Sequence, residues 1–268
     1  MSGPVHIERR GAVLEVTLDR PPVNAITDAV SDALYRAFCI LRDDRALRVG
    51  ILTGAGSKIF SAGWDLKEVA KASSSIAVND AAMLRPGGFA GFTEFWDLGK
   101  PVIAAVNGAA VGGGFELALA ATLVIAAENA EFWLPEMQRG FVPDAGAVQR
   151  LPRRIPYNIA MELLLTGRRM GAHEAMRWGL VSAVVPQQRL LETARSYATE
   201  IAKGAPLAVR ALLEAVPALL PLWEREAFDR LKTGRSGIPA YEAMLASEDF
   251  LEGPRAFAEK REPVWRGR

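Results

Sequence analysis

Two glutamates stand where short segments could build a proton-transfer site. In Val111-Gly112-Gly113-Gly114-Phe115-Glu116-Leu117 a strand-like run ends, glycines remove every β-carbon, and a helical run begins. Glycines at such a junction let a ligand approach the backbone closely. The first helical N–H groups have no intrahelical acceptor, and with the helix dipole they favour negative charge. Glu116 falls in that first turn, where a carboxylate can move a proton beside a developing oxyanion. Further on, Trp133-Leu134-Pro135-Glu136 sets a second carboxylate after an apolar strand that Pro135 stops. A third segment, Phe60-Ser61-Ala62-Gly63-Trp64-Asp65-Leu66, again runs strand, small residues, helix, and offers a second set of free N–H groups. Read singly, each has a plain alternative: a tight glycine turn with a solvated Glu116, or a surface Glu136 in a turn.

Other chemistries find little support. No G-x-S-x-G elbow occurs. The two histidines, His6 and His173, are too few and too scattered for a metal cluster or a relay. Gly54-Ala55-Gly56-Ser57-Lys58 lacks the spacing of a phosphate-binding loop, and Gly108 to Gly114 does not fit G-x-G-x-x-G.

These residues must be held by a core. The chain has 268 residues, half of them hydrophobic and 24% charged, as in a globular protein. Lys and Arg total 32 against 31 Asp and Glu, so bulk charge gives no reason to expect nucleic acid. A lone Cys39 cannot form an internal disulfide, which points to a reducing, cytoplasmic setting. It falls on the apolar stripe Val30, Leu34, Ala37, Phe38, Leu41, where a thiol packs as a small hydrophobe. The polar start of the chain shows no signal-peptide core. Pro101 to Ala127 is long and apolar, but Pro101, Gly108, Gly112 to Gly114 and Glu116 interrupt it, so it reads as buried strand, turn, helix and strand.

Alternating β-rich runs at Val5–Ile7 and Val13–Leu18 predict a hairpin around Gly11. Asp28–Asp43 predicts an amphipathic helix. Val49–Thr53, Ile59–Ser61, Pro101–Val106, Thr122–Ala126, Glu131–Leu134 and Val181–Val185 read as strands. Asp65–Ala72, Phe92–Leu98 and Phe115–Ala121 read as helices, and the chain from Pro156 onward as mostly helical. Ser73–Gly91, polar and then rich in Gly and Pro, is a candidate lid. Strands alternating with helices predict an α/β core.

The three site segments resemble the crotonase (enoyl-CoA hydratase/isomerase) family. They read IFSAGWDLKE (Ile59–Glu68), KPVIAAVNGAAVGGGFELALAA (Lys100–Ala121) and FWLPEMQRGFVPDAGAVQRLPR (Phe132–Arg153). LDRPPVNAI (Leu18–Ile26), LTGRRMGAHEAMRWGLVSAVV (Leu165–Val185) and EGPRAFAEKREPVW (Glu252–Trp265) extend the resemblance over nearly the whole chain. It implies a crotonase-like spiral of ββα units with a helical C-terminal region: a core over residues 1–200 holding the CoA and acyl site, and a trimerisation region over 201–268. It implies Glu116 and Glu136 as the acid/base pair and the amides of Ala62 and Gly113 as the oxyanion hole. Val23, Ala25, Ala62, Gly63, Trp64, Asp65, Leu66, Gly112 and Asp144 would line the bound thioester. Phe257 and Lys260 would reach a neighbouring subunit's CoA.

The implied activity is reversible hydration and dehydration of a short acyl-CoA thioester. Coenzyme A enters as part of the substrate, with no covalent cofactor, and the assembly is a homotrimer or dimer of trimers without nucleic acid or membrane. FSAGWDLK, Gly87–Gly91, TGRRMGA and the C-terminal tail most resemble the branch of the family that interconverts carnitinyl-CoA and crotonobetainyl-CoA. The trimethylammonium of such a substrate would suit the face of Trp64, with Phe89, Phe92 and Trp133 as further members of a cage. Asp144 would act as a third acid/base group, a cation partner or a turn residue. A general short-chain enoyl-CoA hydratase, an enoyl-CoA isomerase and a non-catalytic binding protein on the same scaffold stay open.

Overall fold

The computed structural model describes residues 3–70, 84–232, 234 and 236–268, apart from the side chains of 68 and 69. Six strands form one sheet in sequence order: Val5–Arg10, Val13–Leu18, Val49–Gly54, Val102–Val106, Leu123–Ala127 and Ala183–Val185. The first pair is an antiparallel hairpin, with Val5 opposite Leu18 and Arg10 opposite Val13. Every later pair is parallel. A smaller sheet orders Met170–Gly171, Glu131–Trp133, Ala109–Val111 and Ile59–Ser61. Ala25–Ile26 pairs with Gly63–Trp64 beside it.

The chain climbs through these layers by repetition. Val49–Gly54 lies in the large sheet, Ile59–Ser61 in the small one, and the short helix Leu66–Val69 follows. Val102–Val106, Ala109–Val111 and the helix Gly113–Ala120 repeat the move, as do Leu123–Ala127, Glu131–Trp133 and the helix Ala147–Arg154. The result is the expected spiral of ββα units.

Alternation along the strands explains the apolar runs. Leu52, Ala104, Val106, Val124 and Ala126 face the main core with Leu34 and Phe38 of the helix Asp28–Asp43 and Leu117 of the helix Gly113–Ala120. Their neighbours Ile51, Ile103, Ala105, Ile125 and Ala127 face the other way, onto Leu190, Ala194 and Ala198 of the helix Leu190–Ala202. Both faces are covered, so the central strands carry almost no polar side chains. Glu15 is the buried exception on the hairpin. Burial alone would raise its pKa, but Arg195, at 2.6 and 2.8 Å, and Arg10 overcome this and hold it below its ordinary value.

Two expectations need correction. Phe92–Leu98 is not a helix but a chain of turns following a single 3-10 turn at Phe89–Gly91. The spacing of Phe89, Phe92 and Phe95 looked helical because all three rings enter the core, where Phe92 stacks on Phe38 with centroids 4.2 Å apart. The backbone leaves helical angles at once, with Phe92 at φ −143° and ψ −28°. The stretch after Asn107, read as a turn, contains the strand Ala109–Val111, too short to show a period in sequence. Most of the candidate lid falls outside the described residues. Among the described residues no helix is long and apolar enough to cross a membrane.

Candidate active site

Glu116 sits in the first turn of the helix Gly113–Ala120, which starts from Gly112 at φ +52°. Its own N–H is taken by the Gly112 carbonyl at 3.0 Å. Its carboxylate is buried, and Oε1 accepts the backbone N–H of Ala147 at 3.0 Å. Gly113 and Gly114, the first residues of the helix, have no intrahelical acceptor for their N–H groups.

Glu136 opens the 3-10 turn Glu136–Arg139 directly after Pro135 and is 5% exposed. Glu131–Trp133 lies beside Ala109–Val111, and the Trp133 carbonyl accepts the Gly112 N–H at 2.9 Å, so the two glutamate-bearing segments leave adjacent strands together. A β-carbon on Gly112 would stand 2.4 Å from Glu136 Oε1. The second carboxylate therefore occupies the space that the missing side chain leaves. Glu136 Oε2 is buried with no hydrogen-bond partner among the described residues.

Both carboxyls are hard to ionise. Burial pushes Glu116 up to about 8; the Ala147 N–H pulls against it, Glu136 and Asp144 push further, and Arg150 pulls back. Burial pushes Glu136 up to about 7, against its own backbone N–H and Arg139, with Asp144 again raising it. Burial holds Glu116 higher than Glu136, so Glu136 is the closer of the two to ionisation near neutrality. That is the state in which one group can accept a proton while the other donates one.

The third segment closes on the first. Gly63, at φ +76°, packs so tightly that a β-carbon there would meet Gly113 N and Val111 O at 2.7 Å each. Gly114 in turn faces the Ser61 carbonyl, 2.2 Å from where its β-carbon would be. Asn24, buried and left-handed at φ +52°, stitches the preceding loop down: its Nδ2 donates to the Ile59 and Phe60 carbonyls at 3.2 Å each, and its own carbonyl accepts Ser61 Oγ–H at 2.7 Å. Asp65 pairs with Arg20 at 2.8 Å and accepts the Lys67 N–H, so it latches the two loops.

This geometry revises one expected role. The Ala62 N–H donates to the Val23 carbonyl at 2.9 Å and is not free for a ligand. The Asp65 N–H goes to Ile26 at 2.9 Å. Gly63, at φ +76°, interrupts the strand between these two amides, and Trp64 N lies 3.4 Å from where a β-carbon of Gly113 would be. It is therefore the Trp64 amide, not the bonded Ala62 amide, that stands beside Gly113.

The remaining expected residues divide. Gly112, Gly113, Gly63 and Trp64 gather at the glutamates. Ala25 is buried in its short strand, while Val23 and Leu66 are each 37% exposed at the surface of the same two segments. Asp144 is exposed on the loop that follows Glu136 and leads to Ala147. Phe257, 87% exposed, and Lys260, the left-handed cap, lie on the C-terminal helix Glu248–Glu259. Of the proposed cage, Phe92 is spent on Phe38, and Arg169 covers one face of Trp133 at 4.4 Å. Phe89 remains close: its ring would touch a β-carbon on Gly113 at 2.6 Å. Sequence reading missed Asn24 and Arg150, which donates to the Thr93 carbonyl beside the site. Only Asn24 carried a local signal, as a residue that tolerates the left-handed region in a turn.

A profile described as Enoyl-CoA hydratase/isomerase matches residues 8–268. The chain is 52% identical over all 268 residues, and over the full length of the relative, to proteins named carnitinyl-CoA dehydratase from Salmonella typhimurium (strain LT2) and Salmonella heidelberg. Among solved structures it is similar to an enoyl-CoA hydratase from Mycobacterium tuberculosis H37Rv, with TM-score 0.87, 39% identity and 99% of each chain covered. It is also similar to one from Bacillus anthracis, with TM-score 0.87, 36% identity, and coverage of 99% of this chain and 100% of that one.

Proposed function

The chain belongs to the enoyl-CoA hydratase/isomerase family, and from that premise we propose that it is a hydro-lyase that interconverts carnitinyl-CoA and crotonobetainyl-CoA. The observation that carries the reading is the buried pair, Glu116 held by the Ala147 N–H and Glu136 filling the space over Gly112. The relatives' shared name supports the acyl group.

In the dehydration direction, Glu136, the more easily ionised of the two, takes the proton from Cα. The electron pair forms the Cα=Cβ bond, the Cβ–O bond breaks, and Glu116 gives its proton to the departing hydroxyl, leaving water. Charge that builds on the thioester oxygen meets the Gly113 and Trp64 N–H groups; one such donor is worth about 2.7–4 kcal/mol elsewhere. Hydration runs the same steps backwards. Coenzyme A takes part only as the thioester's carrier. Incubation with crotonobetainyl-CoA, crotonyl-CoA and a 3-enoyl-CoA should give water addition, with the highest kcat/KM on the charged thioester. Preference for crotonyl-CoA would make the protein a general short-chain hydratase, and bond migration without water uptake an isomerase.

We also propose assembly into a homotrimer or dimer of trimers through the region 201–268. Its helices expose Leu212, Leu220, Trp223 and Phe228 at 62, 76, 86 and 62%, more apolar surface than an isolated chain normally leaves in water. Sedimentation equilibrium should return three or six chain masses. A single chain mass at micromolar concentration would remove the proposal.

A further inference from the structure

The segment from Glu136 to Ala147 is tied down at both ends by the site itself. It starts at Glu136, whose carbonyl accepts the Phe141 N–H at 3.3 Å, and ends at Ala147, whose N–H holds Glu116. Within its last turn Pro143, Ala145, Gly146 and Ala147 are buried, and Asp144 alone is exposed. The backbone fixes that turn through Asp144 N–H to the Val142 carbonyl at 3.0 Å and Gln149 Nε2 to the Asp144 carbonyl at 3.3 Å. The Asp144 carboxylate forms no ion pair among the described residues. Arg150, the guanidinium that acts on Glu116, is committed to the Thr93 carbonyl and lies 5.7 Å from the Trp96 ring.

We infer that Asp144 is the residue that selects a cationic acyl chain, by placing an unbalanced carboxylate opposite the fixed positive charge of the substrate. The inference rests on the reading of the protein as an enzyme of carnitine-derived thioesters. A quaternary ammonium offers no hydrogen-bond donor, so its site needs charge together with apolar surface, not a close hydrogen bond. Phe141, Val142 and Val148, exposed at 38, 51 and 46%, supply that surface around Asp144. Asp144 stands three residues before Ala147, whose N–H holds Glu116 at 3.0 Å, and that short run of chain keeps it near the space the glutamates share, where its charge raises both of them. The buried, unbonded Glu136 Oε2 marks that space as one completed by a ligand.

The test compares crotonobetainyl-CoA with 5,5-dimethylhex-2-enoyl-CoA, in which carbon replaces the charged nitrogen at the same shape. Removing the Asp144 charge also relieves both glutamates, so absolute rates on the two substrates move together. The diagnostic is their ratio of kcat/KM. Asp144→Asn should lower the charged-to-neutral ratio by about tenfold or more, the scale of one ion pair in a partly dry cleft. Asp144→Glu should restore most of it. Equal changes on both substrates, or none, would overturn the inference and leave Asp144 as a modulator of the glutamates or a turn residue. If the wild-type enzyme itself does not favour the charged thioester, the parent reading fails first, and the wild-type ratio alone reports it.

Discussion

Glu116→Gln and Glu136→Gln should each lower turnover of the preferred thioester by about 10²- to 10⁴-fold, the range expected for loss of a positioned proton donor or acceptor. Glutamine keeps the shape and the acceptor oxygen that receives the Ala147 N–H, so the loss reports the proton and not the packing. In the proposed mechanism each group handles one of two protons that move in the same turnover, so losing either should nearly equal losing both, and the double variant should fall little further. A single variant that kept near wild-type turnover on every enoyl thioester would end the paired-carboxylate mechanism.

The same substitution carries a signature in stability. Glu116 has a folded pKa of about 8 against an ordinary value of 4.5. At pH below the ordinary value both folded and unfolded chains bind the proton, and the site costs nothing extra. As pH rises, the unfolded chain releases its proton first while the folded chain keeps it, so stability falls. The fall ends once the folded carboxyl also ionises, near pH 8. At about 1.4 kcal/mol per pKa unit, the span amounts to a few kcal/mol. Glu116→Gln should therefore unfold at higher denaturant than wild type at pH 8.5 and show no such gain at pH 4. A gain that was equal at both pH values would mean that the burial cost of the carboxylate is already offset in the folded state.

Gly63→Ala should cost about 3–5 kcal/mol of stability. Part is conformational: the position is at φ +76°, where an L side chain costs roughly 1–2 kcal/mol. The larger part is contact. The new carbon would meet Gly113 N and Val111 O, backbone atoms that cannot rotate aside. Gly56→Ala separates the two, because Gly56 has φ +80° but no atom within 4 Å of the added carbon. Equal losses in denaturant unfolding at both positions would show that the two loops do not need this close approach. Activity should fall with Gly63→Ala beyond its effect on stability, since the displaced Gly113 amide is one of the two proposed donors to the thioester oxygen.

Much of the fold was legible because its signals are local. The apolar strands and the glycine run before Phe115 each announce an element within a few residues, and the repeated strand–strand–helix order follows from them. What stayed hidden depends on pairs far apart in the chain. The Glu116 bond to Ala147 spans 31 residues, and no pattern around either one foretells it. The Ala62 amide looked free because its partner, the Val23 carbonyl, belongs to a loop whose path is set by Asn24. The phenylalanines at 89, 92 and 95 show the opposite failure, a helical spacing produced by turns that send every ring inward.

The loop from Glu136 to Ala147 is pinned by its ends to the two buried carboxylates, while Phe141, Val142 and Asp144 are exposed between them. On the function and the selectivity proposed above, proton chemistry and acyl recognition are separated within a dozen residues of chain. Evolution, or an engineer, can exchange the middle of this loop to admit a new acyl group while the termini keep the catalytic pair in register. In that sense it is a replaceable cartridge, whose outer positions are free to diverge among enzymes that share one reaction.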